Sequence, residues 1–198
     1  MSYPELENLI ETLRSRPKVA DIDERRKLMN SNANHFPTAD DVILETLSLG
    51  GVSAEKSCTP ADDKEGALLY VHGGGYVIGS LDSHRHTVTE AGRAAGIPAY
   101  ALDYRLAPET PFPAPVDDTL SAYRALLSRD IKPTRIAIAG DSAGGGLVIS
   151  ALVAIRNAGL PQPACGWSMS PWVDMEAMGE SMRTNAPNDP TVQRDVIL

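Results

Sequence analysis

Ser142 stands in the run Gly140-Asp141-Ser142-Ala143-Gly144, a spacing that suits nucleophilic catalysis. A serine hydroxyl attacks a carbonyl only when it is presented without steric cover, close to a base and beside donors for the developing oxyanion. After a strand, the flanking glycines let the chain turn sharply into a helix, leaving the serine on a strained, exposed elbow. Taken alone, the run fits a second chemistry equally well: a glycine-rich strand-to-helix turn can cradle a phosphate. His72-Gly73-Gly74-Gly75 decides between them. It follows an apolar run, 67–71, and its three glycines let backbone N–H groups approach a substrate oxygen with no side chain in the way. Elbow and donor loop are complementary parts of an acyl-transfer site. Ser142 is the expected nucleophile, and the N–H of Ala143 with those of Gly73, Gly74 and Gly75, Gly74 foremost, are the expected oxyanion donors.

Other polar residues have plainer readings. His84 and His86 sit in the polar segment Asp82-Ser83-His84-Arg85-His86 and read as solvated or helix-start residues, and His35 reads as a surface residue. Asp141 adjoins the nucleophile, and neighbouring side chains diverge at an elbow, so a structural hydrogen-bonding role is expected beside a place at the pocket. Asp103 and Arg105 read as an internal ion pair that fixes a loop at a strand end. Tyr76 and Trp172 are candidates for the substrate pocket. Cys58 and Cys165 are the only cysteines and form no C-x-x-C pair, so neither a disulfide framework nor a metal site is expected.

The positioning elements follow from periodicity. Residues 1–35 carry spaced apolar positions broken by Pro4 and Pro17 and read as two amphipathic helices. Residues 41–59 suggest short antiparallel strands around Gly50-Gly51, with a polar loop at 61–66. Strands at 67–71, 97–102, 135–140 and 164–170 then alternate with helices in 83–95, 113–128 and 147–157. Asp117 and Asp118 lie in the first turns of the 113–128 helix, where carboxylates favour the helix dipole. Such alternation is the pattern of βαβ crossovers and predicts an α/β fold: a mostly parallel central sheet with helices on both faces. At 198 residues and 42% hydrophobic content, the chain holds one sizeable core. The net charge of −8 disfavours nucleic acid and anionic membranes as partners and favours a small neutral molecule. No basic n-region precedes an apolar run at the start, so a cytoplasmic protein is expected.

Three motifs, His72-Gly73-Gly74-Gly75-Tyr76, Asp103-Tyr104-Arg105-Leu106-Ala107-Pro108-Glu109 with Phe112-Pro113-Ala114-Pro115 and Asp117-Asp118, and Gly140-Asp141-Ser142-Ala143-Gly144-Gly145, carry a resemblance. Ser170-Pro171-Trp172-Val173-Asp174 and Ser181-Met182-Arg183-Thr184-Asn185 continue it. In this combination the chain resembles the hormone-sensitive-lipase-like microbial esterases of the α/β-hydrolase superfamily. The resemblance implies an α/β-hydrolase fold with an N-terminal helical cap segment in 1–40, a core in 41–177 and the start of a second cap segment in 178–198. It implies a carboxylic-ester hydrolase that acts on small, short-chain acyl esters through a serine acyl-enzyme, with no cofactor and no metal. It also implies that His72 holds the glycine loop rather than taking the serine proton.

In this fold the triad order is serine, acid, histidine, yet no histidine follows Ser142. Asp174, Glu176, Glu180, Asp189 and Asp195 follow it, but the family places its acid one or two strands later. The expectation is that roughly a hundred residues of C-terminal strands and helices are absent, with the catalytic Asp and His in a continuation or in a separate chain. The alternative is a catalytically inactive fragment or binding module. Amide or lactone hydrolysis on the same elbow and assembly as a homodimer both stay open.

Overall fold

The computed structural model describes residues 3–15, 19–31 and 35–194; Pro17 and Asp195 lie outside them. Helices α1 (Pro4–Ser15) and α2 (Ile22–Ser31) bury no residue completely. Gly50 and Gly51, both at positive φ, turn strand β1 (Ile43–Leu49) into β2 (Val52–Cys58), paired antiparallel with Leu49 opposite Val52. Then the alternation begins: β3 (Ala67–Val71), α3 (Leu81–Ala95), β4 (Ala99–Leu102), α4 (Ala114–Leu127), β5 (Ile136–Asp141), α5 (Ala143–Asn157), β6 (Cys165–Met169), and last a short helix, α6 (Ser181–Thr184).

The six strands form one sheet in the order β1-β2-β4-β3-β5-β6. The pairings of β3 with β4 and β5, and of β5 with β6, are parallel. The hairpin side is antiparallel, so the sheet is mixed with a parallel centre, as an α/β fold requires. β3 is apolar throughout and buried at every position, which suits a central strand covered on both faces. Its side chains alternate: Leu69 and Val71 join Tyr123, Leu126, Leu147 and Val148 of α4 and α5 on one face, while Leu68 and Tyr70 join Val88 of α3 on the other. Helix α3 begins with a Ser80–Ser83 capping box and ends at Gly96 in the left-handed region, φ 66°. Both ends thereby satisfy backbone groups the helix leaves open.

The chain divides into two compact units, Ile22–Trp172 and a smaller one made of Met1–Asp21 with Val173–Leu198. Helix α2 falls in the larger unit. Arg26 is the physical reason: its guanidinium donates to the carbonyls of Val77 and Ala107 and to both Glu109 oxygens. In the smaller unit, Arg14 Nη2 donates to the Pro187 carbonyl at 3.0 Å, and the Asp174 carboxylate accepts from the N–H of Met178 and Gly179. Among the described residues no helix is long and apolar enough to cross a membrane.

Leu69 is fully buried and Ile43 is 56% exposed. Leu69→Ala is therefore expected to cost about 2–5 kcal/mol, and Ile43→Ala less than about 1 kcal/mol. Urea unfolding midpoints measure both, and equal shifts would contradict the assigned core.

Candidate active site

Strands β3 and β5 are parallel neighbours with Val71 opposite Gly140, so the chain leaves both strands at one level of the sheet. From β3 it crosses to β4 on one side and returns to β5 on the other. That reversal of direction opens a crevice at the carboxyl ends of the strands. The glycine loop and Ser142 both emerge there.

Ser142 lies at φ 53° and ψ −118°, between the end of β5 and the first residue of α5. Such backbone costs on the order of 1–3 kcal/mol in a non-glycine residue and persists only where the surroundings hold it. They do: the Ser142 N–H donates to the Met169 carbonyl at 2.9 Å, and its carbonyl accepts from Gly146 at 3.1 Å and Trp172 at 2.9 Å. Its side chain makes no N-cap hydrogen bond, and the residue is exposed. Close packing draws the helix onto the sheet, since any Cβ at Gly144 would run into the Val71 carbonyl oxygen. Ala143, the first residue of α5, has an N–H with no acceptor inside the helix.

Beyond β3, Gly74 (φ 122°), Gly75 (φ 62°) and Tyr76 (φ 63°) turn the loop through positive φ. The Gly74 carbonyl accepts from Val77 and Ile78 at 3.1 and 2.9 Å, and Ala107 N–H donates to the Tyr76 carbonyl at 2.9 Å. Gly74 and Gly75 are half-buried, and among the described residues their N–H groups meet no acceptor. Gly73 differs from the expectation of a free oxyanion donor. It is buried, and its N–H already donates to Asp141 Oδ1 at 3.0 Å.

Asp141 is more deeply engaged than a pocket-lining residue would be. Its Oδ1 also accepts from the Tyr70 hydroxyl at 3.0 Å and lies 3.5 Å from His84 Nε2. Burial raises the pKa of Asp141, but His84, the Tyr70 hydroxyl and the Gly73 N–H together outweigh it, and the net shift is downward. The carboxylate form is favoured. His84 corrects the reading of a solvated residue, being only 8% exposed. His72 is buried, its Nδ1 lies 2.8 Å from the Gly73 carbonyl oxygen, and its ring stacks on Tyr104 at 4.3 Å. The Tyr104 hydroxyl donates to the His72 carbonyl at 2.7 Å, and His72 Nε2 is buried with no partner.

The expected Asp103–Arg105 pair is also corrected. Arg105 instead binds Asp118 of α4, through Nε at 3.0 Å, Nη2 at 2.6 Å and its backbone N–H at 2.9 Å. Asp118 is almost fully buried, so three donors on one carboxylate offset its desolvation. The Tyr76 and Trp172 rings lie 6.1 Å apart. His86 stacks on Phe36, and His35 is exposed. Among the described residues no cluster of His, Cys, Asp and Glu could hold a metal. Sequence reasoning passed over Tyr70, Tyr104 and His84 as supports of the loop. Helical spacing could have found His84, which shares the buried stripe of α3 with Val88 and Gly92.

Residues 68–198 match the model of an alpha/beta hydrolase fold family. The chain is 41% identical over 187 residues to an acetyl-hydrolase of Streptomyces hygroscopicus, covering 93% of this chain and 62% of that protein. An ethyl acetate hydrolase of Pseudomonas putida is 39% identical over 132 residues, 63% of this chain and 42% of the relative. The crystal structure of an esterase from the bacterial hormone-sensitive lipase family superposes with a TM-score of 0.93 at 48% identity, over 100% of this chain and 67% of that one. The chain thus spans about two thirds of the length of these fuller matches.

Burial holds the His72 pKa down to about 4 against a usual 6.5, with a partly opposing hydrogen bond to Gly73. Between those values the unfolded state binds the extra proton, so this contribution to stability is complete above about pH 6.5 and is lost as pH falls toward 4. An NMR titration is expected to show a neutral His72 ring at pH 5, and a midpoint near 6.5 would contradict the burial.

Proposed function

The chain belongs to the alpha/beta hydrolase fold family, in its bacterial hormone-sensitive-lipase branch, and from that premise we propose that it carries the nucleophile and oxyanion site of a carboxylic-ester hydrolase. One observation carries the reading: an exposed serine on a positive-φ elbow beside a glycine loop with two uncommitted N–H groups. Ser142 Oγ gives its proton to a general base and attacks the ester carbonyl. The acyl C–O bond breaks, the departing alkoxide takes up that proton and leaves as the alcohol, and water hydrolyses the resulting acyl-enzyme. The N–H groups of Gly74, Gly75 and Ala143 receive the oxyanion, each such donor being worth about two to three orders of magnitude in rate. Tyr76 and Trp172 bound the acyl or alcohol pocket. Relatives named for acetyl and ethyl acetate hydrolysis support a small, short-chain ester as the substrate.

The proton-accepting histidine and its acid are proposed to lie outside residues 1–198. In support, His72 and His84 are committed to the loop and its anchor, and His35 and His86 are exposed or stacked elsewhere. Within this reading residues 1–40 and 178–198 supply cap segments, and the core is 41–177. A cytoplasmic location is part of the same proposal: the free thiols of Cys58 and Cys165 fit a compartment that keeps cysteines reduced.

The alternative is that residues 1–198 by themselves form a catalytically inactive fragment or a binding module. A phosphonate directed at serine, with intact-mass detection, tests that alternative: rapid one-to-one labelling of residues 1–198 at Ser142 contradicts an inert site. In the full-length enzyme, Ser142→Ala is expected to lower kcat on a chromogenic acetyl ester by about four orders of magnitude or more. Near-normal turnover by that variant would remove Ser142 from the mechanism.

A further inference from the structure

A loop of three glycines has no side chains with which to hold itself, so its direction must be fixed through its backbone. Past β3, Gly73 N–H is fixed by Asp141 Oδ1, and Gly73 packs so tightly on this carboxylate that any Cβ there would collide with Oδ2. Asp141 therefore sets where Gly74 and Gly75 begin. The carboxylate itself needs holding, because rotation about its χ1 would carry Oδ1 away from Gly73. Tyr70 holds it from β3, and His84 holds it from α3, with Nε2 3.5 Å from Oδ1.

His84 is held in turn. Its Nδ1 lies 2.9 Å from Ser83 Oγ. That hydroxyl accepts from Ser80 N–H at 2.9 Å, as Ser83 N–H donates to Ser80 Oγ at 3.1 Å. Ser80 Oγ donates to Asn30 Oδ1 of α2 at 2.7 Å. A continuous polar chain thus runs from α2 through the capping box of α3 to His84, Asp141 and Gly73. On the opposite side, the His84 ring lies 5.3 Å from that of His72, whose Nδ1 meets the Gly73 carbonyl. Both backbone polar groups of Gly73 are therefore gripped within one buried cluster.

We infer that His84 is a positioning residue: by holding the Asp141 carboxylate on Gly73 N–H, it aims the N–H groups of Gly74 and Gly75 at the oxyanion. This rests on the ester-hydrolase reading for its consequence in rate, though not for its geometry. His84 acts through Asp141 and touches no reacting atom. Loss of the hold swings the donors by a fraction of an ångström, which weakens binding of the transition state more than that of the ground-state ester.

The test compares wild type, His84→Leu and His84→Gln in the full-length protein, with a chromogenic acetyl ester for kinetics and the Gly73 amide proton resonance as a direct readout. His84→Leu is expected to lower kcat by about ten- to a hundredfold with KM within about twofold, and to move the Gly73 amide upfield as its hydrogen bond lengthens. A glutamine amide can offer an N–H to the same carboxylate oxygen, so His84→Gln is expected to recover much of both. Wild-type kcat in both variants, or loss of activity with the Gly73 amide unmoved, would overturn the inference. If the wild-type protein neither hydrolyses the ester nor takes a phosphonate on Ser142, the ester-hydrolase reading fails. The Gly73 amide then still decides the placement of His84: a shift in His84→Leu supports it, and an unmoved resonance refutes it.

Discussion

The carboxylate of Asp141 reaches from the last residue of β5 to the Gly73 N–H just past β3, and the arrangement of the crevice depends on that bond. Two loops that leave adjacent parallel strands have no intrinsic reason to keep a fixed separation, especially when one of them is made of glycine. The register that sets Val71 opposite Gly140 brings them to one level. The hydrogen bond then converts nearness into a defined geometry. On the serine side, Met169 and Trp172 hold the backbone of the elbow, so neither half of the site relies on its own flexibility being low. Burial of the surrounding Tyr70, His72 and Tyr104 strengthens each polar contact by excluding water.

Much of the fold was legible because its signals were local. The five residues of β3 and the Gly50-Gly51 hairpin stand where the sequence places them. Helix α5 begins at Ala143, several residues before the expected start at 147. Glycines favour a turn by propensity, but close contact of Gly144 with the Val71 carbonyl is a tertiary demand that only a glycine helix can meet. Strand β4 starts at Ala99 rather than 97 because the Ile97 N–H is still bonded to the Gly92 carbonyl at the end of α3 and Pro98 has no N–H to give a ladder. Long-range pairing was less legible. Arg105 chooses Asp118, thirteen positions away, over its neighbour Asp103, and His84 is buried despite lying among charged residues. In both cases the partner is set by packing of a helix against the sheet, which local composition does not encode.

The same distinction separates the three glycines. They look equivalent in sequence, yet Gly73 is buried and spent on Asp141, while Gly74 and Gly75 have positive φ and uncommitted N–H groups. One glycine anchors and two present. The two histidines nearest the elbow are likewise occupied, His72 with the loop carbonyl and His84 with the carboxylate. What this part of the molecule supplies under the ester-hydrolase reading is presentation of the nucleophile and stabilisation of charge, terms that can account for a large share of catalysis even where proton transfer is provided from elsewhere.

The division of labour within the glycine loop is tested most directly by the crystal structure of the full-length protein after reaction with a serine-directed phosphonate, whose phosphoryl oxygen occupies the oxyanion position. The expected result is phosphorus bonded to Ser142 Oγ, with that oxygen about 2.7–3.1 Å from the N–H nitrogens of Gly74, Gly75 and Ala143, and Gly73 N–H still on Asp141. An oxygen bound instead by Gly73 N–H, with the Asp141 contact broken, would contradict the account.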